Sequence, residues 1–341
     1  MNSSEIIKRS ADVICDHLDP LLREASELSL LDFPNHPNVG DSAIWAGEIA
    51  YLESRGHKPR HVSDKGAMDW EAVSRLRGPI LLHGGGNFGD VWPEHQHFRN
   101  QVMARFPDRK IIQLPQTVQF SSPAAAAETR KIVQAHPDFT LFVRDRRSQE
   151  QTRTLLDIEP VLVPDMAFCL GRICRQRTAD RDLLLLLRTD KERRREISEA
   201  SALPGRVEDW MTDRKGFYKL AKVRTAFNPN NWHRENHRFE LFKSLANARL
   251  RRGLSMIARY RFIITDRLHC HILCVLQDIP HVVMDNNYGK ISHFIKAWTA
   301  DYDQLELADG IKAAVRAYRA RALLALEGSP AIAMKELETR A

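Results

Sequence analysis

One stretch, at residues 260–290, constrains the fold more than any other part of the chain: YRFIITDRLHCHILCVLQDIPHVVMDNNYGK. Its apolar run at residues 262–264 is short and β-branched, which predicts a buried strand. Apolar residues then recur at helical spacing, so we expect a helix, with Thr265 and Asp266 placed to cap it. A second apolar run at residues 282–284 predicts another buried strand. The order strand, helix, strand is typical of a parallel sheet in an α/β protein.

The start of this predicted helix is a candidate anion site. Arg267 and His269 fall in its first turn, where unpaired backbone N–H groups and the helix dipole favour a negative charge. In open α/β sheets, ligands bind beyond the carboxyl ends of the strands, and Tyr288 and Lys290 follow the second strand. We therefore expect these side chains to face a ligand. A core histidine is the alternative interpretation of His269.

Strands and helices alternate along the rest of the chain as well. Short apolar runs predict further strands at residues 28–33, 79–82, 110–114, 141–143, 161–163 and 183–187. With 341 residues, the chain is long enough for two domains that each bury a core. We expect an α/β protein with an N-terminal Rossmann-like domain at residues 1–170 and a C-terminal one at 171–308. A last helix within residues 309–341 is expected to pack back on the N-terminal domain.

The net charge and the number of cysteines limit the kinds of partner and the cellular compartment that we expect for this protein. The net charge of +7 suits phosphorylated or carboxylated substrates, anionic lipid or nucleic acid. Basic clusters at residues 172–195 and 249–261 lack interleaved aromatics, so nucleic-acid binding is not expected. Five cysteines without a secretory signal indicate a reducing cytoplasm. The apolar runs are too short to span a bilayer, which takes about 20 residues. Any membrane contact is therefore expected to be peripheral.

A glycine-rich string follows the strand predicted at residues 79–82. Residues 84–89, GGGNFG, match G-x-G-x-x-G, and Asp108 lies further on, so a dinucleotide site is one interpretation. No helix opens directly after the string, and its strand is not the first of the sheet. A tight structural turn is a second interpretation. We favour a third, a loop that lines a ligand through Gly85, Gly86 and Asn87. An esterase oxyanion loop is excluded because the sequence contains no G-x-S-x-G elbow.

Other candidate residues each have a structural alternative. Asp41 follows Gly40 and is interpreted either as a helix cap or as a carboxylate facing the ligand. Arg144 stands at the end of a predicted strand, which favours a functional role over a surface ion pair. Cys270, His271 and Cys274 lie at helical spacing, but a structural zinc site needs paired ligands from two segments. We interpret them as buried residues and expect no metal site.

Taken together, these motifs resemble the polysaccharide pyruvyl transferase family. The resemblance covers residues 36–298 and rests on Asn38-Val39-Gly40-Asp41, the glycine string with its flanks at residues 83–90, Arg144-Asp145 with Ser148, Pro164-Asp165, Arg267-Leu268-His269, Ile279-Pro280 and Tyr288-Gly289-Lys290. Membership would imply two domains facing a cleft, as in GT-B glycosyltransferases, with phosphoenolpyruvate between them and a sugar hydroxyl as acceptor. It would also imply donor-binding and catalytic roles for Asp41, Arg144, Arg267, Leu268 and His269.

The residue chemistry is compatible with that donor. Phosphoenolpyruvate carries a phosphate and a carboxylate, and arginine binds both groups through paired hydrogen bonds. Arg144, Arg267 and Lys290 are the expected cations. His269 is expected either to act as general acid or to bind the phosphate, since histidine titrates near neutral pH. Asp41 is the candidate base for the acceptor hydroxyl. No cofactor is expected besides the donor.

The resulting hypothesis is transfer of pyruvate to a sugar of a cell-surface polysaccharide, on a lipid-linked acceptor, by a cytoplasmic enzyme. Peripheral contact with the inner face of the membrane is part of this expectation, because a basic surface is attracted to anionic lipid. Trp210, Trp232 and His233 are candidates for contacting the acceptor sugar, and packing in a small satellite core is the alternative interpretation of these residues. The alternatives are a nucleotide-sugar glycosyltransferase of the same architecture and a non-catalytic protein that binds an anion or a glycan. A glycosyltransferase would need a pocket for a nucleobase and a ribose, which the sequence does not indicate, and the joint presence of Arg267, His269 and Asp41 argues against a non-catalytic protein.

Overall fold

The computed structural model describes residues 1–188, 206–213, 216–226, 234–285 and 289–327. Strands and helices alternate through most of this part of the chain, because most of the short apolar runs are followed by a helix. The strands are β1 (Ser29–Leu31), β2 (His61–Ser63), β3 (Ile80–Leu82), β4 (Gly85–Gly89), β5 (Ile111–Gln119), β6 (Phe139–Val143), β7 (Val161–Leu162), β8 (Arg181–Leu186), β9 (Arg206–Glu208), β10 (Tyr260–Thr265), β11 (His281–Met284) and β12 (Leu305–Ala308).

The helices cover both faces of the sheets that these strands form. They are α1 (Ser3–Leu22), α2 (Val39–Ser54), α3 (Trp70–Ser74), α4 (Pro93–Arg105), α5 (Pro123–Ala135), α6 (Arg146–Gln151), α7 (Phe217–Ala226), α8 (Arg234–Ile257), α9 (Leu268–Gln277), α10 (Lys290–Trp298) and α11 (Ile311–Glu327). A π-helical turn (Thr152–Leu156) and a 3-10 helix (Met166–Leu170) lie between β6 and β8.

Within the described residues, the strands form two parallel sheets. The first has the order β2-β1-β3-β5-β6-β7, with β4 paired to the end of β5. The second has the order β12-β11-β10-β8-β9. The predicted α/β class and the Rossmann-like character of the two sheets are therefore confirmed. The expected domain boundary at residue 170 falls between the last strand of the first sheet and the first strand of the second.

Each sheet has one point at which the chain reverses its direction of winding. In the first sheet β1 leads outward to β2 on one side, and β3 follows on its other side, so the loops after β1 and β3 diverge. We call this the first switch point, and it carries Asp32 and His83. In the second sheet the loops after β8 and β10 diverge in the same way, at Arg188 and Arg267. Such switch points open a crevice for ligands at the carboxyl ends of the strands.

An apolar interface joins the two halves of the chain. Phe33, which follows β1, stacks on Phe242 of α8 with ring centroids 4.0 Å apart and planes 7° from parallel. Trp45 of α2 meets both rings edge-on. All three side chains are almost fully buried. Burial of large aromatic surface is strongly favourable, so this contact holds the halves in a fixed relation.

The two terminal helices both pack on the second half. In α1, the Ser3 hydroxyl donates a hydrogen bond of 2.7 Å to the Val275 carbonyl of α9, and the Arg9 guanidinium donates one of 2.6 Å to the Trp298 carbonyl. The expectation that the last helix packs on the N-terminal domain is wrong for α11. Its apolar face, with Ile311 and Val315, buries against Phe262 and the other outward-facing residues of the second sheet. Residues 328–341 lie outside the described part of the chain.

In the part of the chain that the structure describes, no helix combines the length and the hydrophobicity needed to cross a bilayer.

Candidate active site

A cleft with a volume of about 390 Å³ lies between the two halves. Both switch points open into it, because the carboxyl ends of the two sheets face each other. Seven of the predicted site residues line this cleft: Asp41, Gly86, Asn87, Arg144, Arg267, Leu268 and His269. These residues, which follow separate strand ends, therefore meet at one cleft, and their role in binding a ligand stays a prediction.

The remaining predicted residues have different positions. Gly85 lies one residue before the cleft lining and has a φ of 135°, a conformation that side-chain-bearing residues rarely adopt. Lys290 is the first residue of α10, next to Ile291, which lines the cleft. Tyr288 lies outside the described residues, as do Trp232 and His233. Trp210 borders the cleft, but its side chain is almost fully buried and packs in the hydrophobic core.

Two buried side chains of the first half, Arg144 and Asp165, form an ionic cluster at the cleft with the half-buried His269 of the second half. Arg144, at the end of β6, donates from Nη1 to Oδ2 of Asp165 at 2.5 Å and from Nε to the Thr117 hydroxyl at 2.9 Å. Nε2 of His269 lies 3.4 Å from the same Asp165 oxygen and 3.3 Å from Arg144 Nη1. One carboxylate of the first half thus orients both an arginine of its own half and a histidine of the other.

The electrostatics of this cluster keep Asp165 ionised. Burial by itself would raise the pKa of its carboxyl group, because a charge loses hydration in the interior. The hydrogen bond and charge of His269, the charge of Arg144 and the Ala167 N–H outweigh burial and leave the pKa of Asp165 below its usual value. A buried charge is tolerated when it is paired in this way.

Gly40 allows His269 to reach this position. A Cβ atom on Gly40, in the first turn of α2, would lie 2.4 Å from Nδ1 of His269. Non-bonded atoms do not approach so closely, so any side chain at residue 40 would displace the imidazole. The glycine of the Asn38-Val39-Gly40-Asp41 motif is therefore explained by the close contact between the two halves.

Helix α9 begins differently from the prediction. Its N-cap is Arg267, and no side chain in the described structure caps it. Thr265 instead accepts a hydrogen bond from the Arg267 N–H at 3.1 Å, and Asp266 accepts one from the Arg188 N–H at 2.8 Å. The capping role proposed for Thr265 and Asp266 is wrong, because both side chains bind the loops of the second switch point. The first turn of α9 thus keeps its positive end toward the cleft.

Arg267 is held in place by a carboxylate that the sequence did not indicate. Its guanidinium is buried and binds Asp209, with Nη2 lying 2.8 Å from Oδ1 and 2.9 Å from Oδ2. Asp209 directly follows β9, so it stands at the carboxyl edge of the second sheet. Asp209 falls in a stretch whose apolar residues show no clear periodicity, so the sequence predicted no strand before it. A prediction of β9 would have been the one signal that Asp209 stands at the sheet edge.

Asp41 is not the cap of α2 either. The helix begins at Val39, and the Asn38 side chain caps it by accepting from the Gly40 N–H at 3.0 Å. The Asn38 amide also donates to Oδ2 of Asp41 at 2.7 Å, and Nε2 of His36 lies 3.5 Å from that oxygen. Asp41 therefore lies in the first helical turn, where a carboxylate is favourable.

The pKa of Asp41 is shifted downward. Burial would raise it, but the electrostatic interactions with His36, His269 and His83 and the hydrogen bond from the Asn38 amide outweigh burial and lower the pKa below its usual value. Asp41 is thus an ionised carboxylate at neutral pH. It can accept a hydrogen bond from a ligand hydroxyl, but its affinity for a proton is reduced.

The glycine string forms strand β4, which pairs with β5, and not the loop that we favoured. Gly86 and Asn87 nevertheless line the cleft. The Asn87 side-chain oxygen accepts hydrogen bonds from Arg99 and, at 3.0 Å, from Gln116. The dinucleotide interpretation is wrong, because the next helix, α4, begins only at Pro93 and the string itself is a paired strand.

Behind the cleft, a directional chain of hydrogen bonds fixes helix α9. His281 Nδ1 lies 2.7 Å from the Ile279 carbonyl, which only a protonated nitrogen can bind, so Nδ1 donates. His281 Nε2 then accepts from His271 Nδ1 at 2.7 Å, and His271 Nε2 accepts from the Thr299 hydroxyl at 2.9 Å. Burial lowers the pKa of both histidines, to about 4 for His281. Both histidines are therefore neutral structural residues. Among the described residues, no group of three histidine, cysteine, aspartate or glutamate side chains is placed to hold a metal ion.

Comparison with known proteins agrees with this geometry. The family model for polysaccharide pyruvyl transferase matches residues 38–288. Pyruvyl transferase 1 of Schizosaccharomyces pombe is 32% identical over 296 residues, which cover 80% of this chain and 69% of that protein. The chain belongs to the polysaccharide pyruvyl transferase family. The family resemblance expected from the sequence is confirmed.

Two further comparisons place this pyruvyl transferase family member among its relatives. A protein of Bacillus subtilis, provisionally named as the pyruvyl transferase EpsO, is 27% identical over 291 residues, covering 82% of this chain and 87% of that protein. The crystal structure of a functionally uncharacterised Klebsiella pneumoniae protein has a TM-score of 0.61 and 17% identity, covering 89% of this chain and 99% of that one. This last likeness concerns the fold alone.

Proposed function

We propose that the protein transfers the pyruvyl group of phosphoenolpyruvate to two hydroxyls of one sugar in a cell-surface polysaccharide, forming a pyruvate ketal. The observation that carries the proposal is the cluster of Arg144, Asp165 and His269 beside the uncapped start of α9. It puts cations and a proton-transferring group together in one cleft of a family member. The two facing parallel sheets support the expected likeness to GT-B enzymes as part of the proposal.

The donor has two negative groups, a phosphate and a carboxylate, and the cleft offers several cationic elements to bind them. Arg144 and Arg267 lie on opposite walls, and both are largely buried, so they meet a ligand with little competition from water. The backbone N–H groups at the start of α9 add a third set of hydrogen-bond donors for a phosphate or a carboxylate. Lys290 at the start of α10 is proposed as a further cation. This arrangement suits a small molecule with two anionic groups.

The proposed reaction balances without an oxidant or a cofactor. In the first step, C3 of phosphoenolpyruvate takes a proton from His269, and a sugar oxygen bonds to C2 as its hydroxyl proton leaves. In the second step, the bond between C2 and the phosphate oxygen breaks, and a second sugar hydroxyl bonds to C2. One of the two hydroxyl protons restores His269, and the other leaves with inorganic phosphate. Asp41 accepts a hydrogen bond from an acceptor hydroxyl and orients it.

The acceptor in this proposal is a lipid-linked oligosaccharide, and the basic protein acts at the inner face of the cell membrane. The net charge of +7 supports such peripheral contact, since anionic lipid attracts basic surfaces. Sedimentation with vesicles that contain anionic lipid tests the membrane contact directly.

The test combines phosphoenolpyruvate with a panel of methyl hexopyranosides and measures phosphate release. We expect release only when both are present, together with an acid-labile ketal on the sugar. His269→Asn should abolish transfer without changing the thermal melting curve. Nucleotide sugars are tested in parallel, because a glycosyltransferase of this architecture would use them. Release of nucleoside diphosphate with none of phosphate, or full activity of the His269 variant, would contradict the proposal.

A further inference from the structure

Asp32 and His95 form a carboxylate–imidazole pair at the first switch point. Asp32 directly follows β1, and its side chain is 1% exposed. Both of its carboxylate oxygens lie within hydrogen-bond distance of His95 Nδ1, at 2.9 and 3.1 Å. His95, in the first turn of α4, lines the same cleft as His269. A second histidine with its own carboxylate therefore faces the ligand site.

The backbone of Asp32 is unusual and suits this role. Its φ is 70°, in the left-handed region, which aspartate and asparagine adopt more readily than most residues but at some cost. Arg99, which is also buried, lies 3.6 Å from the Asp32 carboxylate and offsets its charge. The Arg99 guanidinium is itself fixed by a hydrogen bond of 2.7 Å from Nε to Gln113. The carboxylate is thus held rigidly from behind, with His95 in front of it.

This arrangement determines which nitrogen of His95 can accept a proton. A carboxylate accepts a hydrogen bond only from a protonated nitrogen, so the proton of the neutral imidazole stays on Nδ1. Nε2 is then the acceptor, and it makes no hydrogen bond to any other residue that the structure describes. A carboxylate that fixes the tautomer and stabilises the imidazolium is the arrangement by which enzymes turn histidine into a general base.

We propose that His95 is the base that takes the proton of the attacking sugar hydroxyl, and that Asp32 is its positioning residue. The inference rests on the proposed pyruvyl transfer and names the group that this reaction needs on the acceptor side. As the hydroxyl O–H bond breaks, its proton moves to Nε2, and the oxygen electron pair forms the bond to C2. The imidazolium then returns the proton to the phosphate oxygen as its bond to C2 breaks.

Two observations favour His95 over Asp41 for this step. The lowered pKa of Asp41 makes it a weak proton acceptor at neutral pH, whereas imidazole is the side chain suited to proton exchange in that range. His95 also stands on the wall opposite His269, so one histidine can protonate C3 while the other deprotonates the hydroxyl. The titratable and charged groups around His95 are Asp32, His36, Asp41, Lys65, Glu94 and Arg99.

The test compares two variants of the pair with a control on the same helix. His95→Asn keeps a donor where Nδ1 stands but has no titratable nitrogen, and Asp32→Asn keeps a residue that tolerates positive φ. We expect kcat to fall about 100-fold or more in His95→Asn and about 10-fold or more in Asp32→Asn, while phosphoenolpyruvate affinity stays within about threefold. The double variant should lose no more than His95→Asn does, because the two residues act as a unit.

His97→Asn is the matched control, since His97 is exposed on the same helix, and its kcat should equal that of the wild type. The acidic limb of the pH profile of kcat/KM should be lost in His95→Asn. Retention of about a third of the wild-type kcat, or a loss of donor affinity as large as the loss of rate, would overturn the inference. His95→Gln repeats the test if His95→Asn does not fold. A wild-type protein without any transfer would instead contradict the proposed function itself.

Discussion

The two switch points of the molecule have the same topology but carry different kinds of side chain. The first carries carboxylates and imidazoles, with Asp32 after β1 and His83 after β3, where Glu48 binds His83 Nδ1 at 2.9 Å. The second carries cations, with Arg188 after β8 and Arg267 after β10. Under the proposed function, the first switch point supplies the base on the acceptor side, and the second supplies Arg267 for the anionic donor.

One exception links the two regions. Arg144 and Asp165 belong to the first half but hold His269 of the second. The indole N–H of Trp298 in α10 also donates a hydrogen bond of 2.9 Å to the Arg144 carbonyl. The proposed donor site therefore needs residues of both halves. A substitution that breaks this contact should impair catalysis even where it leaves each sheet intact.

The largest effect is expected at the second switch point. Arg267→Ala removes a buried cation whose charged hydrogen bonds to an anion are each worth about 1.5–3 kcal/mol. We expect kcat/KM for phosphoenolpyruvate to fall about 1000-fold, mostly through weaker donor binding, as measured by steady-state kinetics and calorimetry. Arg259→Ala is the control, because Arg259 forms a partly exposed ion pair with Asp180 far from the cleft lining. Equal losses in both variants would contradict a specific donor role.

The second-largest effect on activity is expected from a substitution at the contact between the two halves. In Gly40→Ala the new Cβ would lie 2.4 Å from His269 Nδ1, so the imidazole must move. Displacement of a catalytic group by about 1 Å can cost about 100-fold in rate, and we expect kcat to fall by that order. Gly66→Ala is the matched control, since a Cβ there meets only ordinary contact, with Asp64 at 3.5 Å. Wild-type turnover in Gly40→Ala would show that His269 does not act from its observed position.

The smallest effect is expected on the free energy of unfolding, and it appears only in acid. It concerns the buried histidines behind α9 in the second half. Burial holds the pKa of His281 at about 4, so between about pH 6.5 and 4 the unfolded chain binds a proton that the folded chain does not. The wild type should lose stability as the pH falls through this window and gain nothing above it. In His281→Asn, the loss between about pH 7 and 4.5 should shrink by about 3 kcal/mol in urea unfolding.

The control for this titration is His17→Asn, because His17 is exposed on α1. Its pH dependence should match that of the wild type. If His281→Asn loses as much stability in acid as the wild type does, the neutral histidine chain behind α9 is not the source of the acid sensitivity.

The sequence predicted the strand–helix–strand unit of β10, α9 and β11 because strands and helices leave different periodicities of apolar residues. It also predicted that Arg144 and His269 meet, since both follow the ends of parallel strands. The pairing of Asp32 with His95 could not be predicted in this way, because it joins the end of β1 to a helix that follows a different strand. Only the order of strands in the folded sheet brings these two residues together.

Other differences between the predictions from the sequence and the structure also have local causes. The glycine string was interpreted as a loop because glycine weakens strands, but pairing with β5 overrides that preference. Asp41 was interpreted as a cap because Asn38, which caps α2, stands after a proline in a polar segment that gives no clear helix start. The position of α11 depends on the outward-facing residues of the second sheet, which alternate with inward-facing ones along strands that are apolar throughout.

The most direct test of the central claim follows the carbon that is transferred. The protein is incubated with phosphoenolpyruvate labelled with carbon-13 at C2 and with the methyl hexopyranoside panel, and carbon NMR is recorded as phosphate is released. We predict that the label becomes a ketal carbon bonded to two oxygens of one sugar, with one phosphate released for each ketal. Label that stays in phosphoenolpyruvate, or that is found only in free pyruvate, would contradict pyruvyl transfer in this cleft.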